Sequence, residues 1–236
     1  MTQTADRLTD LLPDELRTLD DPQTDLPRIA KDRRLTGLIE SALREIPTEH
    51  DLRQGDARSM DLAPESVHLV LTSPPYWTLK EYRDSEGQLG HVDDYEQFLS
   101  ELDTVWKSCF RALVPGLRLI VVVGDVCLSR KKNNGRHTVV PLHASIQEHC
   151  RKFGFDNLAP IIWHKIANAV YEVENGGSGL LGKPYEPNAV IKNDIEFILM
   201  QRKPGGYRNA TVAARVLSAV WCHPSSRGAK LRESVN

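Results

Sequence analysis

Two kinds of hydrophobic spacing alternate along the chain and predict its secondary structure. Apolar positions at helical spacing predict helices at residues 28–46, 94–113 and 141–152. Short apolar runs predict strands at residues 67–72, 117–124, 158–164 and 195–201, and a further short strand is expected at 50–55. Because strands and helices alternate, we expect an α/β fold with a mostly parallel sheet.

The strand predicted at 67–72 carries the strongest signal. Its residues form a nearly continuous apolar run, which is typical of a strand buried on both faces of a parallel sheet. Ser73-Pro74-Pro75 follows directly, and proline cannot donate to the ladder of a sheet. The chain is therefore expected to leave the sheet at this point.

The hydrophobic pattern divides the chain into three parts. Residues 1–49 are expected to form a mobile or loosely docked arm, rich in acidic residues and broken by three prolines, and then a helix. Residues 50–217 contain the alternating strands and helices. Residues 218–236 show no periodicity and are expected to form an irregular tail.

Composition excludes two broad classes of protein. Of the 236 residues, 40% are hydrophobic and 26% are charged, which is typical of a folded protein rather than a disordered one. The apolar run at 119–123 is far shorter than the roughly 20 residues that a bilayer-spanning helix needs. The N-terminal residues lack the basic and apolar regions of a secretory signal, so no membrane partner is expected.

The cysteines and histidines predict no disulfide and no metal site. Cys109, Cys127, Cys150 and Cys222 have no CxxC spacing, and the histidines have no metal-ligand spacing. We interpret the cysteines as buried or free thiols in a reducing compartment, which places the protein in the cytoplasm.

Charge is unevenly distributed around the net value of −2. Residues 1–65 carry 15 of the 32 acidic and 9 of the 30 basic side chains, so the remainder of the chain has a basic excess. Basic clusters occur at 130–136 and 202–215. Such clusters can contact phosphates, but most charged runs are simply solvated faces, so charge alone identifies no partner.

The candidate ligand-binding residues directly follow the strand predicted at 67–72. In open α/β sheets, ligands bind beyond the carboxyl ends of the strands. The two prolines hold the backbone rigid there, so that the Ser73 hydroxyl and the Pro74 carbonyl can accept N–H bonds while Tyr76 offers a stacking face. This set suits a planar group that bears an amine.

Ser73-Pro74-Pro75-Tyr76 resembles the (D/N/S)-P-P-(Y/F/W) motif of the DNA amino-methyltransferases, which methylate exocyclic amines of adenine or cytosine. Other segments resemble that family in the same order along the chain: Gly55-Asp56, 66–70, 72–77, 161–165 and 195–199. The resemblance covers about residues 50–208. It implies a Rossmann-like methyltransferase fold, with residues 50–217 as the catalytic region.

The resemblance also implies a methyl donor, a substrate and a mechanism. The donor is S-adenosylmethionine, and the partner is double-stranded DNA whose target base is flipped into the pocket. Ser73, Pro74, Pro75 and Tyr76 are the implied catalytic residues, which orient the amine and draw off its developing positive charge. Serine at the first motif position is commonest among N4-cytosine enzymes of this family, so cytosine is favoured and adenine is the alternative.

Binding residues are implied in the same way. The donor-binding candidates are Asp56, Thr72 and Ser73. The DNA-binding candidates are Trp77, Lys80, Arg130, Lys131, Lys132 and Lys183. Lys183 directly follows the glycine-rich stretch 176–182, which we interpret as a flexible connector within a long loop at 168–190. Structural alternatives stay open, because Asp56 also suits a turn and Trp77 also suits the margin of a core.

One segment of the family pattern is missing. Permuted members carry a donor-binding loop of the form D-P-F-x-G-x-G-T near the C-terminus, and no such loop occurs in this sequence. We therefore expect a truncated or frame-shifted chain that retains the catalytic half, with an incomplete sheet and an exposed strand edge.

Two functions of other classes remain open. The chain could be a non-catalytic DNA-binding remnant, which donor binding would distinguish from an enzyme. It could also be a methyltransferase acting on RNA or on a protein side-chain amide, which a comparison of methyl acceptors would distinguish.

Overall fold

The computed structural model describes residues 8–79, 87–131, 133–165, 193, 195–206 and 210–219. The helices are α1 (Pro22–Lys31), α2 (Arg33–Arg44), α3 (Tyr95–Ala112), α4 (Leu142–Lys152) and α5 (Val212–Ser218). The strands are β1 (Val67–Thr72), β2 (Leu113–Val123), β3 (Val126–Leu128), β4 (Thr138–Val140), β5 (Asp156–Asn157), β6 (Ile161–His164) and β7 (Ile195–Arg202). The long loop predicted at 168–190 lies outside the described residues.

The chain divides into two compact units. Met1–Arg53 and Arg208–Asn236 form the first unit, and Gln54–Tyr207 forms the second. This division differs from the predicted one, which placed 208–217 in the catalytic region. The reason is that α5 buries Ala213, Val216 and Leu217 in the apolar cluster formed by the N-terminal helices.

From Leu8 onward, the segment expected to form a mobile or loosely docked arm packs into the first unit. Leu12 and Leu16 are each only 1% exposed and belong to the cluster that α1, α2 and α5 share. Pro22 does not break the chain but opens α1, where its missing N–H costs nothing. The single helix predicted at 28–46 is two helices, because the Asp32 carboxylate accepts from the backbone N–H groups of Arg34 and Leu35 and so starts α2.

The described residues of the second unit form a mixed five-stranded sheet. Its order is β1-β2-β7-β5, with β6 also paired to β7. Only β1 and β2 are parallel among these pairs, whereas β7 is antiparallel to β2, β5 and β6. The α/β class is confirmed, but the sheet is less parallel than predicted, since spacing identifies strands without giving their direction.

Several predicted boundaries shift for local reasons. No regular structure forms at 50–55, whose described residues are exposed. The strand β2 starts at Leu113 and continues through Pro115-Gly116, which were expected to end the helix before it. Gly116 makes this possible with a φ of 85° and a backbone N–H that donates to the Lys203 carbonyl over 2.8 Å.

Helices α3 and α4 contribute to the core on one face of the sheet. Phe98 and Trp106 of α3 and Ile146 of α4 are buried together with Val121 of β2 and Leu199 of β7. Side chains alternate across a strand, so the residues next to Val121 and Leu199 point to the opposite face.

That opposite face is apolar and exposed. Leu69 and Leu71 of β1 are 57% and 67% exposed, and Ile161 and Trp163 of β6 are also exposed. The prediction that β1 is fully buried is therefore wrong. Within the described part of the chain, β1 pairs with β2 alone, which matches the expected exposed strand edge.

Candidate functional site

The Ser73–Tyr76 segment leaves the sheet at the carboxyl end of β1. Thr72 is the last residue of the ladder and pairs with Val121 of β2. Ser73 is exposed, Pro74 is buried, and Tyr76 is half-buried. The Tyr76 carbonyl then accepts from the backbone N–H of Leu79 over 2.9 Å, which closes a short helical turn. The motif therefore presents a hydroxyl and an aromatic ring on a backbone that prolines and this turn restrain.

Tyr76 lies where the ends of three strands meet. A methyl group placed on Gly124, directly after β2, would lie 3.2 Å from Cε2 of Tyr76 and 3.6 Å from Cγ of Glu196. Glu196 is the second residue of β7. The ring of Tyr76 can approach β2 this closely because Gly124 has no side chain.

An ion pair lies beside the ring. Oε1 of Glu196 is 2.9 Å from Nζ of Lys165, which directly follows β6. Burial raises the pKa of Tyr76, and the charge of Glu196 also raises it. A hydrogen bond with Ser73 and the charge of Lys165 act in the opposite direction on that pKa. Ser73, Glu196 and Lys165 therefore all act electrostatically on the Tyr76 hydroxyl.

A second polar pair borders the same edge of the sheet. Asp125 follows Gly124, and its Oδ1 lies 2.6 Å from Nδ1 of His143 on α4. The His143 ring stacks on Phe197 of β7 with a centroid distance of 3.8 Å and an interplanar angle of 11°. This contact ties the end of β2 to α4 and to β7.

Trp77 packs against the protein. Its indole N–H donates to the Val92 carbonyl over 2.9 Å, and its ring meets Tyr95 edge-on at 5.0 Å. Its φ of 45° is unusual for a bulky residue and marks local backbone strain directly after the motif. The DNA contact predicted for Trp77 stays a prediction.

Asp56 is engaged within the chain. Its carboxylate accepts from the backbone N–H of Arg58 over 2.9 Å and pairs with the Arg58 guanidinium over 2.7 Å. The same guanidinium pairs with Glu101 of α3 over 2.7 Å. These contacts hold the pKa of Asp56 below its usual range, chiefly through the side-chain hydrogen bond from Arg58. Donor contacts by Asp56 and Thr72 stay predictions.

The basic cluster occupies a hairpin loop. The strands β3 and β4 pair antiparallel, and Arg130 and Lys131 are exposed in the loop that joins them. The predicted DNA-binding residues Lys80, Lys132 and Lys183 lie outside the described residues. Because β3 begins two residues after Gly124, the hairpin extends from the same end of β2 that Tyr76 contacts.

The described residues contain no cluster of three or more His, Cys, Asp or Glu side chains that could hold a metal ion. In the same part of the chain, no helix has the length and apolar character needed to cross a bilayer.

Sequence reasoning assigned no role in the site to Glu196 or to Lys165. A carboxylate in the otherwise apolar run Ile195 to Met200 was the available signal, because buried charge requires a partner. Together, the motif, Gly124 and the ion pair form a site that can orient a planar ring and accept N–H bonds from an amine.

Comparison with known proteins gives consistent matches. A sequence model of the N6/N4 family described as DNA methylase matches residues 67–229. Type II methyltransferase M.MjaI from Methanocaldococcus jannaschii is 34% identical over 182 residues, covering 67% of this chain and 57% of the relative. Type II methyltransferase M.MthZI from Methanothermobacter thermautotrophicus is 28% identical over 169 residues, covering 66% of this chain and 45% of the relative.

A solved structure is also similar. TTHA0409 from Thermus thermophilus, assigned as a DNA modification methylase and solved in complex with S-adenosyl-L-methionine, is 55% identical with a TM-score of 0.51. The match covers 66% of this chain and 54% of the Thermus protein. The chain thus spans about half the length of the relatives that it matches.

Proposed function

Because the chain belongs to the N6/N4 DNA methylase family, we propose that it provides the base-binding site of a DNA amino-methyltransferase that uses S-adenosylmethionine and modifies the N4 amine of cytosine. One observation carries the proposal. Ser73 is exposed and Tyr76 half-buried at the end of β1, and the Tyr76 ring packs against Gly124 at the end of β2. Ligands of open α/β sheets bind at this edge.

The residues of this site act on the amine of the target base. A flipped base stacks on Tyr76, while the Ser73 hydroxyl and the Pro74 carbonyl accept N–H bonds from its amine. These acceptors would hold the nitrogen lone pair in one direction and would stabilise positive charge on that nitrogen. The donor, when bound, supplies a methyl group on a positively charged sulfur.

The donor fits these residues only in part. Among the described residues, no strand passes through a glycine-rich turn into a helix, which is the usual cradle for such a cofactor. The Asp56 carboxylate is already paired with Arg58. We propose that the segment holding the donor corresponds to the part of the relatives' length that this chain does not match.

Donor affinity is the first measurement, by calorimetric titration of the purified chain with S-adenosylmethionine. Micromolar binding would show that this chain builds a donor site alone. If a folded chain does not bind, residues 54–207 are grafted in place of the matched region of the Thermus relative, so that transfer can be measured in a full-length protein.

Substitution of Ser73 tests the site. Ser73→Ala is expected to reduce methyl transfer to unmethylated genomic DNA by about 100-fold, because the amine loses one acceptor. Ser41→Ala, on α2 of the first unit, is the control in the full chain. In the graft, which lacks Ser41, Ser108→Ala on α3 serves as the control. Transfer by Ser73→Ala that equals the unsubstituted protein would contradict the proposal.

Analysis of the methylated nucleoside tests the choice of substrate. The serine at motif position 73 favours N4-methylcytosine, and N6-methyladenine is the alternative product. Methyl incorporation into RNA or protein, with none in DNA, would overturn the proposed substrate class.

The β3–β4 hairpin is proposed to contact the DNA backbone, together with Trp77, Lys80, Lys132 and Lys183. Replacing both Arg130 and Lys131 by alanine is expected to weaken DNA binding at all sequences and to lower the salt dependence of log K by about 2, since each phosphate contact contributes about 0.9. Binding isotherms over a range of salt measure this slope. A slope equal to that of the unsubstituted protein would remove the hairpin from the DNA interface.

A further inference from the structure

We propose that the Lys165–Glu196 ion pair positions Tyr76, holding its ring in the orientation that stacks on the target base. The inference rests on the proposed function. It assigns Glu196 and Lys165 as positioning residues, which act through Tyr76 rather than through contact with the base.

The position of Glu196 supports this role. The position that a Cβ on Gly124 would occupy lies 3.6 Å from Cγ of Glu196 and 3.2 Å from Cε2 of Tyr76. The two side chains therefore border the same small space beside Gly124. Glu196 is only 15% exposed, and a carboxylate so enclosed needs a partner to remain charged. It lies in β7, whose other residues from Ile195 to Met200 are apolar.

Lys165 supplies that partner from the neighbouring strand. The register of the β6–β7 pair places Trp163 opposite Glu196 and His164 opposite Ile195, so Lys165 emerges at the beginning of β7. Its Nζ lies 2.9 Å from the carboxylate and 5.0 Å from the centre of the Trp163 ring. Both contacts restrain the lysine, and the carboxylate is thereby held beside Tyr76.

Tyr76 has the backbone of Gly124 on one side and the Lys165–Glu196 ion pair on another. Because Gly124 has no side chain, no side chain at that position restricts rotation of the Tyr76 ring. Glu196 fills this space, and its carboxylate can accept the phenolic O–H. Removing the carboxylate is expected to free the ring, whereas removing the lysine is expected to leave the carboxylate without its counter-charge.

Fluorine NMR of protein labelled with 3-fluorotyrosine tests the proposal without requiring methyl transfer. The Tyr76 signal among the six tyrosines is identified by its absence in Tyr76→Phe. Glu196→Gln is expected to shift and broaden this signal and to lower the pH at which the phenol titrates. Lys165→Met is expected to raise that pH, because a cation that lowers the pKa of Tyr76 is lost.

Two further variants complete the design. Lys165→Arg retains the cation and is expected to restore the unsubstituted titration. Asp156→Asn breaks a 2.8 Å ion pair with Arg202 at the other end of β7 and is expected to leave the Tyr76 signal unchanged. A purely structural role for Glu196 would change thermal stability but would not move the phenol titration in opposite directions in the two variants.

The outcomes separate this inference from the proposed function. Unchanged Tyr76 signals and titrations in both Glu196→Gln and Lys165→Met would overturn the inference while leaving the methyltransferase proposal intact. In a protein competent for transfer, Glu196→Gln is expected to reduce kcat/KM for DNA about tenfold with unchanged donor affinity. Absence of transfer in every protein tested, with the expected NMR shifts, would instead contradict the function.

Discussion

At the scale of single residues, the sequence identifies the motif but not its neighbours. Ser73 to Tyr76 can be placed at a strand end because an apolar run stops at two prolines, and the structure places them there. Glu196 lies beside Tyr76 although it comes from a distant part of the chain, and no local pattern indicates this. Such contacts depend on strand order, which a single sequence does not display.

The contact between Gly124 and Tyr76 predicts the effect of adding one methyl group. In Gly124→Ala the new Cβ would lie 3.2 Å from Cε2 of Tyr76, so the ring must shift by a few tenths of an ångström or more. In a protein that transfers methyl groups, we expect the transfer rate to fall about 10- to 100-fold, because a displaced ring no longer holds the base in the reactive geometry. Steady-state kinetics measure this loss.

The matching control is Gly37→Ala on α2, where an added methyl group meets nothing within 4 Å. In the full chain, this substitution is expected to stabilise the helix by about 0.5–1 kcal/mol with no effect on transfer. Full activity of Gly124→Ala would show that the position of the ring tolerates this displacement.

At the scale of elements, periodicity succeeded where a helix or strand has a strong apolar face. The structure confirms α3, α4 and β7 within two residues of the predicted bounds. Periodicity failed at the N-terminal helices, where one apolar stripe continues across α1 and α2. The two helices are separated by Asp32, whose carboxylate caps α2. Capping depends on a side chain turning back to the backbone, which hydrophobic spacing does not record.

The contact between α3 and α4 predicts a loss of stability at high pH. Cys109 of α3 and Cys150 of α4 are buried, and burial raises the pKa of Cys109 to about 11 and that of Cys150 further. Above the usual thiol pKa of about 9, the unfolded chain releases thiol protons that the native state retains. The free energy of unfolding should therefore fall by up to about 1.4 kcal/mol per pH unit for each thiol.

Urea unfolding of the unsubstituted chain and of Cys150→Ala, from neutral pH to about pH 11, measures this dependence. The variant is less stable at neutral pH because of the missing side chain, so the comparison concerns the slope with pH. A smaller decrease above pH 9 in Cys150→Ala is expected. Identical slopes would show that the Cys150 thiol does not cause the decrease in the free energy of unfolding above pH 9.

At the scale of the whole molecule, the uncovered face of the sheet is the feature that departs most from the sequence expectation. The run from Val67 to Thr72 indicated burial on both faces, yet Leu69 and Leu71 are exposed. A nearly continuous apolar run is typical of a strand that is covered on both faces. What covers such a strand depends on polypeptide outside the run itself.

The uncovered face predicts strong binding of an apolar fluorescent dye. Leu71→Ser is expected to lower dye fluorescence while changing the free energy of unfolding by no more than about 0.5 kcal/mol, because the side chain is mostly exposed. Val121→Ser, on the covered face of β2, should cost about 2–4 kcal/mol. Equal destabilisation by the two substitutions would show that the Leu71 face is covered in solution.

The discontinuity of the first unit has a consequence for synthesis on the ribosome. Helices α1 and α2 emerge before the second unit, but α5, which shares their apolar cluster, emerges after it. At about 5–20 residues per second, the roughly 170 intervening residues take about 10–30 seconds to translate. During that interval Leu35 and Ile39 lack the surface contributed by α5, while the second unit, which is continuous, can already fold. The second unit should therefore fold before the first. We expect the exposed apolar faces of α1 and α2 to bind a ribosome-associated chaperone during this interval.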